Sequence, residues 1–278
     1  MALEAILFPG QGSQLRDMRD SVARVRPDLL ALVSELVGED PFPRAQAGTN
    51  FAQPAIFCAS LAGWSALGRR GGDFMAGHSL GELAALVAAG CISERDGLRL
   101  VVLRGRLMQE AGDRAGDGGM LALLGAGAAD QAEALADAHG LAVANDNSPQ
   151  QIVLSGARTA LPAAAAAAKD LGLRAMELPV TGAFHSPMMD PAVPEFTAAL
   201  EQVELREPRV TVLSAVTAQP FDDVRRRLAE ALIRPVRWRE TMLELHRLGA
   251  ERFVEVGPGR VLTGLAKRTL SDVELVNA

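Results

Sequence analysis

The chain has 278 residues, 49% of them hydrophobic, enough to bury a sizeable core as one large α/β unit or as two domains. A formal net charge of −6 argues against a general affinity for nucleic acid, which depends on neutralising phosphates with Lys and Arg. Two cysteines, Cys58 and Cys91, make no disulfide framework and lack companions at metal-ligand spacing, so a reducing cytoplasm is the expected compartment.

Met1 to Phe8 carries no basic signal-peptide segment, and the longest apolar run, Leu83 to Ile92, is far short of a membrane span. Glu4 to Phe8 reads as an opening strand, followed by the turn Pro9-Gly10-Gln11-Gly12-Ser13-Gln14. That turn is neither a dinucleotide fingerprint, because Leu15 takes the third glycine position, nor a phosphate loop, because no Gly-Lys-Ser/Thr follows. An apolar segment from Gln53 to Leu67 reads as a helix starting after Pro54. Asp73 to Ala76 then reads as a short buried strand, and Glu82 to Ala89 as a helix stopped by Gly90. Ser93 with Asp96 resembles a capping box for a helix to about Ala111, and Gly116 to Gly119 reads as a linker.

Beyond it the pattern predicts strand at Met120–Leu124, helix at Ala128–Ala138, strands at Leu141–Asn145 and Gln151–Ser155, helix at Arg158–Leu171 and strand at Leu173–Pro179. This β-α-β-β-α-β order is ferredoxin-like and predicts an inserted subdomain. The alanines from Ala163 to Ala168 then form a helix interior entered after Pro162. The last third predicts a strand at Pro208–Ala215, helices at Val224–Leu232 and Arg239–Leu248, a strand at Phe253–Val256 and a final helix to about Leu270.

The most informative stretch is Gly77-His78-Ser79-Leu80-Gly81, a serine between two glycines after a strand and before a helix. Small neighbours let such a serine sit on a strained strand-to-helix turn with its hydroxyl exposed at the mouth of the sheet. A serine needs a base within hydrogen-bond reach, and there are four histidines. His78 adjoins Ser79 and should point away, His139 ends a helix of the insert, and His246 lies in an amphipathic helix. His185, in the irregular stretch Val180 to Pro187 where the chain re-enters the larger unit, is the candidate. No acid to orient it is evident, and a backbone carbonyl could take that part. On the helix after the elbow, Leu100, Leu103, Leu107 and Met108 form an apolar side that also carries Arg104. A buried guanidinium needs a partner, either a structural carboxylate or a ligand anion, and spacing alone leaves both open.

Together, Phe8 to Gln14, Gly77 to Glu82, Arg104 to Gln109, Asn147-Ser148-Pro149-Gln150, Gly182-Ala183-Phe184-His185 and Glu255 to Gly259 resemble, in order, the malonyl-CoA:acyl carrier protein transacylases. The resemblance implies an α/β fold: an α/β-hydrolase-like large subdomain (1–116 and 183–278) with a ferredoxin-like small subdomain (117–182) inserted. It implies ping-pong transfer of malonyl from malonyl-CoA to the phosphopantetheine thiol of an acyl carrier protein, with no permanently bound cofactor. Ser79 matches the nucleophile and His185 the base. Gln11 and Leu80 match the oxyanion-hole amides, and Arg104 the arginine that grips the malonate carboxylate. Phe184 matches the residue that restricts space in malonyl-selective members, and Gln53 and Asn147 match positions lining the site.

The chain departs from the family in two places: Ala231 stands where a glutamine often offers its carbonyl to the histidine, and Gly38 to Gly48 is shorter than usual. Arginines 225, 226, 227, 234, 237 and 239 suggest a surface for the carrier or the CoA phosphates, or else a solvated helix face. A monomer without affinity for membranes is expected. A malonate decarboxylase subunit, a serine thioesterase or hydrolase, and a silent docking module are the competing readings.

Overall fold

The computed structural model describes residues 2–69 and 71–278; Met1 and Arg70 lie outside the described residues. Strand β1 (Leu3–Phe8) is central to a six-stranded sheet. Its neighbours are β2 (Phe74–Gly77) on one side and β9 (Ala250–Glu255) on the other, both parallel to it. The strand order is β10-β9-β1-β2-β7-β8, with β7 at Thr211–Ser214, β8 at Gln219–Pro220 and β10 at Glu274–Asn277. Only β8 runs antiparallel to its neighbour.

Alternation along β1 sorts its side chains between two cores, as the two-residue period of a strand requires. Ile6 and Phe8 join the larger core, with helices α3 (Thr49–Ala66), α4 (Gly81–Ala88) and α5 (Glu94–Ala115). Ala5 and Leu7 face the other core, with α10 (Trp238–Arg247) and α11 (Val261–Thr269). Helix α4 is buried at every position, and α3 is apolar and buried on nearly all sides. Such helices belong inside a layered fold and could not stand at its surface.

The chain leaves this unit at Gly116 and forms a second sheet of order β4-β5-β3-β6, all antiparallel. Its strands are β3 (Gly118–Leu124), β4 (Ala142–Ser148), β5 (Gln151–Ala157) and β6 (Arg174–Glu177), and helices α6 (Ala128–His139) and α7 (Leu161–Asp170) complete a separate small core. Strand β4 ties it to the large unit. Ala144 and Asp146 exchange backbone bonds with Val236, and Asp146 Oδ2 accepts from Arg239 Nη2 at 2.7 Å.

Most predicted elements stand where the pattern put them, with three corrections. Helix α3 begins at Thr49, well before Pro54, which lies inside it. Burial of that whole helix offsets the backbone bond that proline cannot donate. Gly118 and Gly119 belong to β3, because they pair with Ala157 and Gly156. The predicted helix from Arg158 to Leu171 opens with a separate 3-10 turn, Arg158–Ala160. Helices α1 (Met18–Val25), α2 (Pro27–Val37) and α8 (Val193–Glu201), and the edge strand β10, were not anticipated. The short Gly38 to Gly48 segment holds a left-handed Gly38 and a single 3-10 turn, Phe42–Arg44. Among the described residues no helix is long and apolar enough to cross a membrane.

Candidate active site

Phe8 and Gly77 are register partners at the ends of β1 and β2. The turn carrying Gln11 and the elbow carrying Ser79 and Leu80 therefore leave the same edge of the sheet side by side, where ligands of open α/β sheets bind. The elbow is tight. A Cβ on Gly77 would lie 1.9 Å from the Gly81 carbonyl carbon, and one on Gly81 would lie 2.2 Å from the Phe8 carbonyl oxygen. Neither position has room for a methyl group. Ser79 has φ +54° and His185 φ +58°, left-handed conformations that cost energy in non-glycine residues and mark functional turns.

Ser79 Oγ lies 2.9 Å from His185 Nε2. The other ring nitrogen, Nδ1, is 2.8 Å from the main-chain carbonyl of Ala231. A carbonyl can only accept, so Nδ1 carries the proton, and Nε2 is left to accept from the serine hydroxyl. Ala231 follows α9 (Val224–Glu230) directly, and its side chain takes no part. Burial, then the Arg104 charge, then His78 push the His185 imidazole down to about 3, so it is neutral at physiological pH.

Arg104, on the buried side of α5, is 3% exposed. Its Nη1 donates to Gln53 Oε1 at 2.7 Å and its Nη2 to Ser79 Oγ at 3.1 Å. Among the described residues no carboxylate forms an ion pair with it. Burial lowers its pKa to about 10, which still leaves it charged at neutral pH. Gln53 holds the guanidinium and in turn donates from Nε2 to Thr49 Oγ1 at 2.9 Å; Thr49 Oγ1 donates to Gln11 Oε1 at 2.8 Å. This buried chain links the arginine to the Gln11 turn. Thr49 went unnoticed in the sequence, because its part depends on α3 starting well before Pro54.

These residues line a cleft of about 250 Å³ that includes Gln11, Gln53, Ser79, Leu80, Arg104, Phe184 and His185. The main-chain N–H groups of Gln11 and Leu80 have no acceptor among the described residues. Asn147 is corrected. It does not line the cleft; its Oδ1 lies 2.8 Å from His78 Nε2, and Asn145, two residues earlier on β4, takes the wall position. His78 is thereby turned away from Ser79, with its ring 5.4 Å from that of Trp238 in an edge arrangement.

Glu82 is a carboxylate on otherwise apolar α4 whose role has no local signature in the sequence. It is 1% exposed and accepts from the Ala215 amide at 2.8 Å, which ties the elbow helix to the end of β7. Burial raises its pKa from 4.5 to about 7. Since the folded value lies above the unfolded one, this group favours folding below pH 4.5, and that contribution is lost as pH rises through about 7. Glu82→Gln is therefore expected to be more stable than wild type at pH 8, by up to about 3 kcal/mol. The gap should close as pH falls towards 5; urea titrations at several pH values would show it.

Five of the six arginines between 225 and 239 meet acceptors within the chain. Arg226 and Arg227 pair with Asp222, Arg227 also with Glu230, Arg237 with Glu240 and Arg239 with Asp146. Arg225 donates to the carbonyls of Leu200 and Val203.

A serine on a strained elbow, a neutral histidine within hydrogen-bond reach of its hydroxyl and unengaged amides beside them form, on an α/β fold, an arrangement suited to acyl transfer through a serine ester. Residues 6–278 match the acyl transferase domain family. The chain belongs to that family. It is 38% identical to the malonyl CoA-acyl carrier protein transacylase of Salmonella typhimurium, an alignment covering 95% of this chain and 92% of that protein. It is 42% identical to the polyketide biosynthesis protein ThaF of Burkholderia thailandensis over 97% of this chain, and spans only 24% of that longer protein. The solved malonyl-CoA:acyl carrier protein transacylase of Xanthomonas oryzae superposes with a TM-score of 0.91 at 36% identity, covering 100% of this chain and 94% of that one.

Proposed function

We propose that this acyltransferase moves a malonyl group from malonyl-CoA to the phosphopantetheine thiol of an acyl carrier protein, in fatty-acid or polyketide synthesis. The observation that carries this reading is the buried Arg104 guanidinium, charged, without a carboxylate partner among the described residues, and 3.1 Å from the nucleophile. A substrate carboxylate supplies what that cation lacks, through two parallel hydrogen bonds.

In the first half-reaction the Ser79 hydroxyl gives its proton to His185 Nε2 as Oγ attacks the thioester carbon. The amides of Gln11 and Leu80 receive the oxyanion. Collapse breaks the C–S bond, and the CoA sulfur takes the proton from His185. In the second half the carrier thiol gives its proton to the same nitrogen as its sulfur attacks the malonyl ester; collapse breaks the ester C–O bond, and Ser79 Oγ takes that proton back from His185. Ala231 keeps the imidazole in the required tautomer throughout.

Phe184, buried on the cleft wall beside His185, limits the room at the malonyl α-carbon. Phe184→Ser is expected to raise kcat/KM for methylmalonyl-CoA relative to malonyl-CoA by about tenfold, in line with the worth of one methyl group in an apolar pocket. Competition between the two thioesters would measure it.

We read residues 117–182 as a ferredoxin-like small subdomain and 1–116 with 183–278 as an α/β-hydrolase-like large one. The separate small core and the β4-β5-β3-β6 order support that division. The two cysteines, both free and buried, suit a reducing cytoplasm. One chain supplies every group of the site, so a monomer suffices.

The test is CoA release from malonyl-CoA with and without carrier protein, together with the mass of the enzyme after exposure to malonyl-CoA alone. A persistent malonyl adduct that disappears only when holo-carrier is added supports the proposal. Rapid release of free malonate without carrier would favour a hydrolase, and absence of any adduct a docking module.

A further inference from the structure

Two groups hold Ser79 Oγ in opposite senses. It donates its proton towards His185 Nε2 at 2.9 Å and accepts a hydrogen bond from Arg104 Nη2 at 3.1 Å. The second bond engages one of the oxygen's two lone pairs and draws electron density from the atom that attacks a carbonyl carbon. It also sets guanidinium and imidazole one oxygen atom apart, each at most 5% exposed. Every transfer step that protonates His185 then places a second positive charge beside the first, in a site where charges are poorly screened.

Little around the pair offsets this. The Ala231 carbonyl at Nδ1 is neutral, where a serine triad would offer a carboxylate to support the imidazolium. His78 is half-buried and turned to Asn147, and desolvation pushes its pKa down. Glu82, the carboxyl that attracts Arg104, is itself raised to about 7 by burial and is engaged by the Ala215 amide.

We propose that Arg104 acts as a brake released by the substrate: in the empty site its hydrogen bond weakens Ser79 Oγ as a nucleophile and its charge opposes protonation of His185, and a carboxylate on the acyl group relieves both by taking the guanidinium. The proposal rests on the malonyl-transfer reading and extends it, since the carboxylate then serves the chemical step as well as binding. With the guanidinium's charge matched, the serine proton passes to His185 Nε2, the Oγ–C bond forms and the C–S bond breaks, as described above. An acyl-CoA without a carboxylate enters the same cleft and meets a serine still restrained.

Acetyl-CoA and formate together divide the malonyl group at the bond between its methylene and its carboxylate. The test follows single-turnover acetylation of Ser79 in the full-length enzyme at pH 7 with saturating acetyl-CoA, alone, with formate, and with formamide. Formamide has the shape of formate without its charge. Formate is expected to raise the acetylation rate constant by on the order of tenfold, within the range that general-base catalysis supplies, and formamide to leave it unchanged. No acceleration by formate, or equal acceleration by formamide, would overturn the brake. Arg104→Gln has no charge to mask, so its acetylation should ignore formate; a response there would also count against the proposal. Malonyl-CoA is run in parallel. If it leaves no adduct on Ser79, the malonyl-transfer reading itself fails, whereas normal malonylation beside formate-insensitive acetylation removes the brake alone.

Discussion

Ser79→Ala is expected to leave no malonyl adduct and to slow transfer to the carrier thiol on the order of a million-fold, the loss that follows when a serine enzyme's nucleophile is removed. Among the described residues no cysteine lines the cleft to replace it. Cys58 and Cys91 are both buried and do not line the cleft, and burial pushes both thiols up, so neither offers a thiolate at neutral pH. The variant should fold, since alanine inherits the same left-handed backbone and forfeits only the hydroxyl's bonds to His185 and Arg104. Intact mass after exposure to malonyl-CoA, with a thermal melt beside it, would check both parts. An adduct on the variant would place the nucleophile elsewhere.

Arg104→Gln carries the second large effect. Truncating one partner of a buried ion pair costs about 2–5 kcal/mol, so kcat/KM for malonyl-CoA should fall by roughly thirty-fold to several thousand-fold. The preference for malonyl-CoA over acetyl-CoA should collapse with it. Stability should move the other way or not at all, because a buried guanidinium without a carboxylate is a cost to the fold that a neutral amide relieves. Steady-state kinetics with both thioesters and a melting curve separate these expectations. Undiminished malonylation would mean that the arginine is structural.

How far the sequence reveals this site depends on the range of the interactions involved. The elbow is local: two glycines with no room for a Cβ, a strand before and a helix after, all within a dozen residues. Such patterns can be read directly. Arg104 was legible as a charge on the wrong side of an amphipathic helix, yet its position beside Ser79 depends on how α5 packs against α3 and the elbow. His185 was found by elimination among four histidines. Thr49, Asn145 and the bond between Asn147 and His78 depend on a helix start and on a bulged strand, neither of which has a local signature. Asp146, which meets Arg239 from 93 residues away, is a partner that a linear reading of the arginine segment does not reveal.

The bond from His185 Nδ1 to the Ala231 carbonyl has an unusual bearing on how this catalyst can fail. Because every amino acid brings the same main-chain oxygen, no single substitution at that position deletes the group that aims the base. Mutation can damage it only indirectly, by shifting the backbone after α9. An enzyme built this way exposes fewer vulnerable letters in its gene than one relying on an aspartate, and tolerates drift at position 231 that a carboxylate triad could not.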